Sequence, residues 1–266
     1  MADPVYPCNR NFVRFVEGTA VGIPVDGTTQ YQLNKELIEK NWTDSTVAVM
    51  LASPSNPTGT LVSGESLKEI AAFVKSKNGF LIVDEIYHGL IYDEEYSTAL
   101  AVSDDVFVIN SFSKYFSMTG WRLGWLVAPD DYIDGLDKLA QNLFLAAPTT
   151  AQHAALAAFN EDTKIILDKR CDEFRQRRDF LLPALRELGF KISGTPQGAF
   201  YLYADCSAFT QDSYQFVVQL LEDKGVAITP GIDFGQNKAN THVRFAYTTS
   251  LENLREGVER IRAYLA

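Results

Sequence analysis

The chain is short of cysteine, histidine and methionine, with three of each in 266 residues. Cys8, Cys171 and Cys206 lie far apart. No CxxC pair exists, and an odd count makes a poor disulfide framework, so a reducing compartment is the simpler reading. His88, His153 and His242 are scattered, with no HxxxH or HExxH spacing, which argues against a metal site. Positive charge is also scarce: 24 Lys and Arg against 34 Asp and Glu leave a formal net charge of -10. A nucleic-acid surface would need a basic stripe, and none is present. No apolar run reaches the roughly 20 residues of a membrane helix, and the opening "MADPVYPCNR" has no apolar signal core. A cytoplasmic protein with neither nucleic-acid nor membrane partner is expected.

Aromatic residues are plentiful, and the length suits a large α/β domain with a smaller companion. Four strand-like runs occupy the first half: Thr46–Pro54, Gly79–Tyr87, Asp105–Ser113 and Arg122–Pro129. Most are continuously apolar, the pattern of a mostly parallel sheet covered on both faces. Between the first two, "SGESLKEIAAFVKSKN" opens on a Ser start and spaces Leu67, Ile70, Ala71 and Val74 as a helix does. The last two runs are too close for a crossover helix and are expected to pair antiparallel. The opening "NRNFVRFVEG" fits a strand or a short helix.

The pattern from Pro129 to Asn160 is helical with a break near "AAPTTAQ". A long helix is expected over about residues 163–188, kinked or divided at Pro183 and closed by Gly189. Beyond it, "FKISGTPQGAFYLYADCS" reads as a hairpin-like pair of strands. A short helix, two strands and a Ser-capped closing helix complete an α+β region. The expected division is a large domain over 1–160 and a small domain over 161–266 that begins with the long helix.

Three features fall at strand C-termini, where open parallel sheets bind ligands. Asn56 sits in the turn "SPSNPTG". Asp84 ends the apolar run "IVDEIY", with Tyr87 beyond it. Lys114 lies in "VINSFSKYFSMTGWRLGW", eight residues before Arg122. A lysine at a dry strand end has its ammonium disfavoured and becomes a nucleophile for a carbonyl, giving a Schiff base. An aspartate there needs a cationic partner, which a protonated pyridine nitrogen provides. Asn56 and Tyr87 can hydrogen-bond a phenolate oxygen. Ser111, Ser113 and Arg122 can hold a phosphate. These are the requirements of pyridoxal 5′-phosphate. Glu85 is expected on the opposite face from Asp84.

The sequence resembles the class I/II aminotransferases, which are pyridoxal-phosphate enzymes of fold type I. "SFSKYFSMTGWRLG" looks like the family's lysine signature, "SPSNPTG" like its Asn-Pro-x-Gly turn and "DEIY" like its pyridine-contacting strand end. "PQGAFYLY", "TPGIDFG" and "VRFAYT" are similar to its small-domain landmarks, in the same order. The resemblance implies a three-layer α/β large domain with a small α+β domain, pyridoxal 5′-phosphate as cofactor, and amino-group exchange between an amino acid and a 2-oxo acid. It implies that Lys114 binds the cofactor and moves the proton, that Asp84 holds the ring nitrogen protonated, and that Asn56 and Tyr87 meet the ring hydroxyl. It places Ser111, Ser113 and Arg122 on the phosphate, Arg244 on the substrate α-carboxylate, and Tyr6 where an aromatic ring stacks on the pyridine. A homodimer is implied too. Family members carry a further N-terminal segment with a phosphate-binding turn; a fragment, a truncated product or completion by another chain is therefore expected. The motifs set the ring and the carboxylate rather than the fate of the carbanion, so a C–S lyase or synthase, or a non-catalytic member, stays open.

Overall fold

The computed structural model describes residues 1–266. In chain order the elements are β1 (Ala2–Asp3), α1 (Pro7–Phe15), β2 (Ile23–Pro24), α2 (Lys35–Asn41), β3 (Ala48–Ala52), α3 (Gly64–Ser76), β4 (Phe80–Asp84), β5 (Val106–Ser111), β6 (Gly124–Val127), α4 (Asp130–Phe144), α5 (Thr149–Ala157), α6 (Glu161–Glu187), β7 (Tyr201–Asp205), α7 (Ser213–Lys224), β8 (Thr229–Pro230), β9 (His242–Ala246) and α8 (Leu251–Leu265). They form two compact units. The sheet unit comprises Asn34–Pro54 and Val62–Asp172; the second comprises Met1–Leu33, Ser55–Leu61 and Glu173–Ala266.

In the sheet unit the strand order is β3-β4-β5-β6. The first three run parallel, and β6 turns antiparallel to β5, as the short connection requires. α3 is set by Ser63, whose hydroxyl accepts the Ser66 N–H at 3.1 Å, a standard N-cap. It buries Leu67, Ile70, Ala71, Phe73 and Val74. The register puts Ala52 beside Asp84 and Asp84 beside Ile109. The carboxyl ends of β3, β4 and β5 therefore lie side by side. Cover on both faces does not hold throughout. Val49, Leu51, Leu81, Val83, Val106 and Val108 are buried, while the alternate positions are half-buried or exposed and β6 is exposed along its length. On that second face Tyr132 of α4 packs edge-on against Phe80 and Phe107, 5.5 and 5.3 Å between centroids.

The second unit carries an antiparallel sheet of order β7-β9-β8. Arg244 of β9 is flanked by Tyr203 on one side and Thr229 on the other. Leu202, Ala204, Val243, Leu220 and Ile261 are buried in this unit. α7 is capped by the Asp212 carboxylate, which accepts from the Tyr214 and Gln215 N–H groups, and it ends at Gly225 with φ +64°. Ser250 caps α8. β1 and β2 pair parallel. The Ser55–Leu61 loop folds back through Ser55 N–H to Thr60 O (3.0 Å), and the Gln197 and Gly198 N–H groups donate to Gly59 O at 3.0 and 2.9 Å.

The structure decides three local expectations. The opening run is the helix α1, started by Pro7 in its first turn, a position that loses no helical hydrogen bond. Pro183 does not divide α6, which runs from Glu161 to Glu187; its missing N–H removes one bond, and Leu181, Leu182 and Leu185 nearby in the helix are buried. The hairpin-like pair reduces to a single bridge between Lys191 and Asp205, while β7 pairs along its length with β9. Gly189 does close the helix, at φ +103°. No helix is long and apolar enough to cross a membrane.

Candidate active site

The sheet unit brings six of the singled-out residues to the strand ends. Asp84 is the last residue of β4. Its Oδ1 accepts the Ile86 N–H at 3.0 Å. Burial pushes the Asp84 carboxyl up to about 6, while the Ile86 N–H and the Lys114 charge pull it back. Tyr87 follows in the turn and is buried. The Lys114 Nζ stands 5.7 Å from the centre of the Tyr87 ring. One lysine amine thus faces a buried phenol ring and a desolvated acid.

The loop that carries Lys114 is closed by its own backbone. Ser117 N–H donates to Lys114 O, and Met118 N–H to Phe112 O, both at 2.9 Å. The Thr119 hydroxyl donates to Ser113 O. Phe112 and Met118 are buried with Ala155 and Ala158 beside α5, which anchors both shoulders of the turn. Ser111 Oγ lies 2.9 Å from Ser113 Oγ and accepts the Ser113 N–H at 3.0 Å. The two hydroxyls thus form one polar step. Arg122 adopts φ +54° and donates to Thr119 O at 3.0 Å, so its exposed guanidinium turns back onto its own loop.

Glu85 takes a different path from Asp84, as the alternation of a strand end requires. It is buried. Its Oε1 accepts the Ala99 N–H at 2.6 Å and the Thr98 hydroxyl at 3.1 Å, and its Oε2 lies 3.2 Å from His88 Nδ1. Burial raises the Glu85 carboxyl and lowers His88 to about 4. This pair ties the turn after β4 in place.

Three residues belong to the second unit. Arg244 donates to Asn56 Oδ1 at 3.0 Å and to Thr229 Oγ1 at 3.1 Å. Its guanidinium lies 4.4 Å from the Tyr201 ring centre and 4.9 Å from that of Phe234. With its plane held between aromatic rings and its corners pinned, this is a preorganised fork for a carboxylate. Asn56 is buried, and its turn is locked by Gly59 at φ +69°, where a Cβ would sit 2.8 Å from Gly198 O. Tyr6 stands at the N-cap of α1 and is 39% exposed.

Sequence reasoning overlooked Thr229, Tyr201 and Phe234. Thr229 was visible in "ITPG", but only the β8–β9 register puts it opposite Arg244. No cluster of His, Cys, Asp and Glu suited to a metal ion is present.

The residues of the sheet unit fit pyridoxal 5′-phosphate. The desolvated Asp84 carboxyl, raised to about 6, is a partner for a protonated ring nitrogen. The Lys114 amine suits the aldehyde, Tyr87 the phenolate oxygen, and the Ser111–Ser113 step with Arg122 a phosphate. An α/β sheet with this donor set at its strand ends is the fold of the pyridoxal-phosphate transferases.

Known proteins narrow the class. Residues 1–261 match the family described as aminotransferase class I and II. The chain is 38% identical to the valine–pyruvate aminotransferase of Mycobacterium tuberculosis, over 100% of its own length and 69% of that protein's. It is 36% identical to the (5-formylfuran-3-yl)methyl phosphate transaminase of Methanocaldococcus jannaschii, over 99% and 67%. A crystal structure of an aminotransferase from Mycobacterium tuberculosis superposes with a TM-score of 0.96, covering 100% of this chain and 69% of that one at 38% identity. The aspartate aminotransferase from Thermus thermophilus with maleate gives 0.93 at 32% identity, over 100% and 69%. The chain belongs to the class I and II aminotransferases, enzymes that work with pyridoxal 5′-phosphate.

Proposed function

We propose that this chain exchanges an amino group between a 2-amino acid and a 2-oxo acid, with Lys114 as the proton-moving base and Arg244 as the carboxylate fork. The observation that carries the reading is the Lys114 amine set over the Tyr87 ring with its charge felt by the desolvated Asp84 carboxyl. Pyridoxal 5′-phosphate, when bound, supplies the aldehyde that takes up an amine and the ring that accepts the Cα electrons.

The chain's own groups do the rest. Asp84 keeps a proton on the ring nitrogen, because a buried carboxylate gains most from a cation at its side. The Tyr87 hydroxyl and the Asn56 amide would donate to the phenolate oxygen. Asn56 is suited to this because its Oδ1 already accepts from Arg244, which directs its NH₂ elsewhere. Ser111, Ser113 and Arg122 would hold the phosphate, and Tyr6 would offer an aromatic face to the ring. Lys114 would hold the cofactor's aldehyde and, as a free amine, would serve as the base that moves the Cα proton. Arg244 grips the α-carboxylate by paired charge-assisted bonds.

Relatives named for valine with pyruvate and for aspartate differ in side chain and share the α-carboxylate, the group that Arg244 reads. The working unit is a cytoplasmic homodimer. The test is to add pyridoxal 5′-phosphate to the purified chain and record visible absorbance, then supply amino acids with 2-oxoglutarate or pyruvate. Colour that is lost in Lys114→Ala, with 2-oxo-acid-dependent amino transfer, supports the reading. A colourless protein overturns it, and release of ammonia with pyruvate redirects it to a lyase.

A further inference from the structure

Next to the reactive lysine stands a tyrosine to which the proposed chemistry assigns no role. The Tyr115 ring fills the space over Gly89: a Cβ on that residue would sit 2.4 Å from the ring's Cγ, and Gly89 itself has φ +91°. Gly89 lies two residues beyond Tyr87, in the turn that follows Asp84. At its other end, Tyr115 Oη donates to Asp168 Oδ1 on α6 at 2.8 Å. Its edge also meets Phe116 at 5.1 Å, and Phe116 packs against Phe112 and Phe159 at 4.9 and 5.7 Å. Burial and the bonded Asp168 push the phenol far above its ordinary range, so it remains a donor throughout the working pH range.

We propose that Tyr115 is a positioning residue: its ring on Gly89 and its hydroxyl on Asp168 hold the Lys114 backbone at the separation from Asp84 and Tyr87 that the amine requires. The inference rests on the reading of Lys114 as the reactive amine. Its logic is one of leverage. Lys114 and Tyr115 are adjacent, so the side chain of the second fixes where the backbone of the first can go. The turn bearing Asp84 and Tyr87 and the loop bearing Lys114 are then coupled by contact rather than by long flexible chain. Gly89 is essential to that coupling, because any side chain there would displace the ring. Placement to a fraction of an ångström is what separates a working constellation from a loose one.

A tyrosine that served only to fill space would lower stability when changed and leave the site's electrostatics alone. A positioning tyrosine would change how strongly the Lys114 charge acts on Asp84. The experiment is a ¹³C-carboxyl NMR titration of the full chain without added cofactor, with the Asp84 signal assigned through Asp84→Asn. Lys114→Met gives the Asp84 midpoint when the amine charge is gone. Tyr115→Ala is expected to move the wild-type midpoint toward that limit, weakening the acid by about threefold or more, half a pH unit. Tyr115→Phe and Asp168→Ala keep the ring over Gly89 and remove only the outer bond, so both should give a smaller move in the same direction. Should Tyr115→Ala fail to fold, these two variants carry the result. Asp84 midpoints within about 0.2 pH unit of wild type in every folded variant would overturn the proposal. Absence of colour when pyridoxal 5′-phosphate is added to the wild-type chain would instead overturn the proposed function, and the Asp84 titration would still decide the role of Tyr115.

Discussion

Replacing Asp84 by Asn should make the cofactor-free chain more stable above pH 6 while weakening its hold on pyridoxal 5′-phosphate. The native Asp84 carboxyl titrates at about 6 against an ordinary value of 3.8, chiefly through burial. At about 1.4 kcal/mol for each tenfold change in acidity, that difference is worth roughly 3 kcal/mol. Between pH 4 and 6 the native acid keeps a proton that the unfolded chain has lost. The native state therefore binds more protons there, and stability falls as pH rises through the window. Above pH 6 the cost is constant. His88 works in the opposite sense over the same range: burial lowers it to about 4 from 6.5, so the native ring stays neutral while the unfolded one charges, and stability falls as pH drops. Glu85 is raised by burial as well, so the raw profile mixes several groups, and the difference between wild type and Asp84→Asn is what isolates the Asp84 carboxyl. Asn keeps an oxygen for the Ile86 N–H, so the loop bond at 3.0 Å is retained. Urea unfolding at pH 4 and pH 7.5 is the assay. The variant should match wild type at the lower pH and exceed it at the higher by up to about 3 kcal/mol. A variant less stable than wild type at pH 7.5 would refute the account of Asp84 as a desolvated anion awaiting a cation.

Other expectations follow from single contacts. Arg244→Ala removes the fork pinned by Asn56 and Thr229; kcat/KM for amino acids should fall by about 100-fold or more, with pyridoxal 5′-phosphate binding much less affected. Gly59→Ala puts a Cβ 2.8 Å from Gly198 O at φ +69° and should lower unfolding stability by about 1–3 kcal/mol in urea. Phe144→Glu on α4, at a position 63% exposed, should change stability by no more than about 0.5 kcal/mol. Leu81→Ala, at a position 1% exposed, should cost about 2–5 kcal/mol by the same measurement.

Where the fold could be read from sequence, local rules and tertiary packing agreed. The runs that become β3, β4 and β5 are apolar and end in polar residues, so both their extent and the address of Asp84 were visible. The Ser63 and Ser250 caps and the Gly189 close are signals of a few residues' reach, and each sits where expected. Other features depended on partners far along the chain. Asn56 and Arg244 are 188 residues apart in sequence and 3.0 Å apart in space. Thr229 acquires meaning only from its register with Arg244. The strand potential of "FKIS" is realised only as one bridge from Lys191 to Asp205, while the long-range partner β9 pairs with β7 along its length. Pro183 sits inside a continuous α6 among buried leucines. The N-terminal 33 residues group with the C-terminal stretch, which no local pattern announces. Tyr115 escaped notice because its partners, Gly89 and Asp168, come from elements before and after it.

β6 terminates its sheet, and Trp125, Leu126 and Val127 on it are all exposed. Its outer row of amides and carbonyls is a template for another extended chain. Handling of the purified chain should therefore be ruled by concentration more than by temperature: losses on storage should climb steeply as the sample is concentrated and shrink on dilution. Leu126→Lys would act as a gatekeeper on that ribbon and raise the recoverable yield without touching the chemistry at the strand ends.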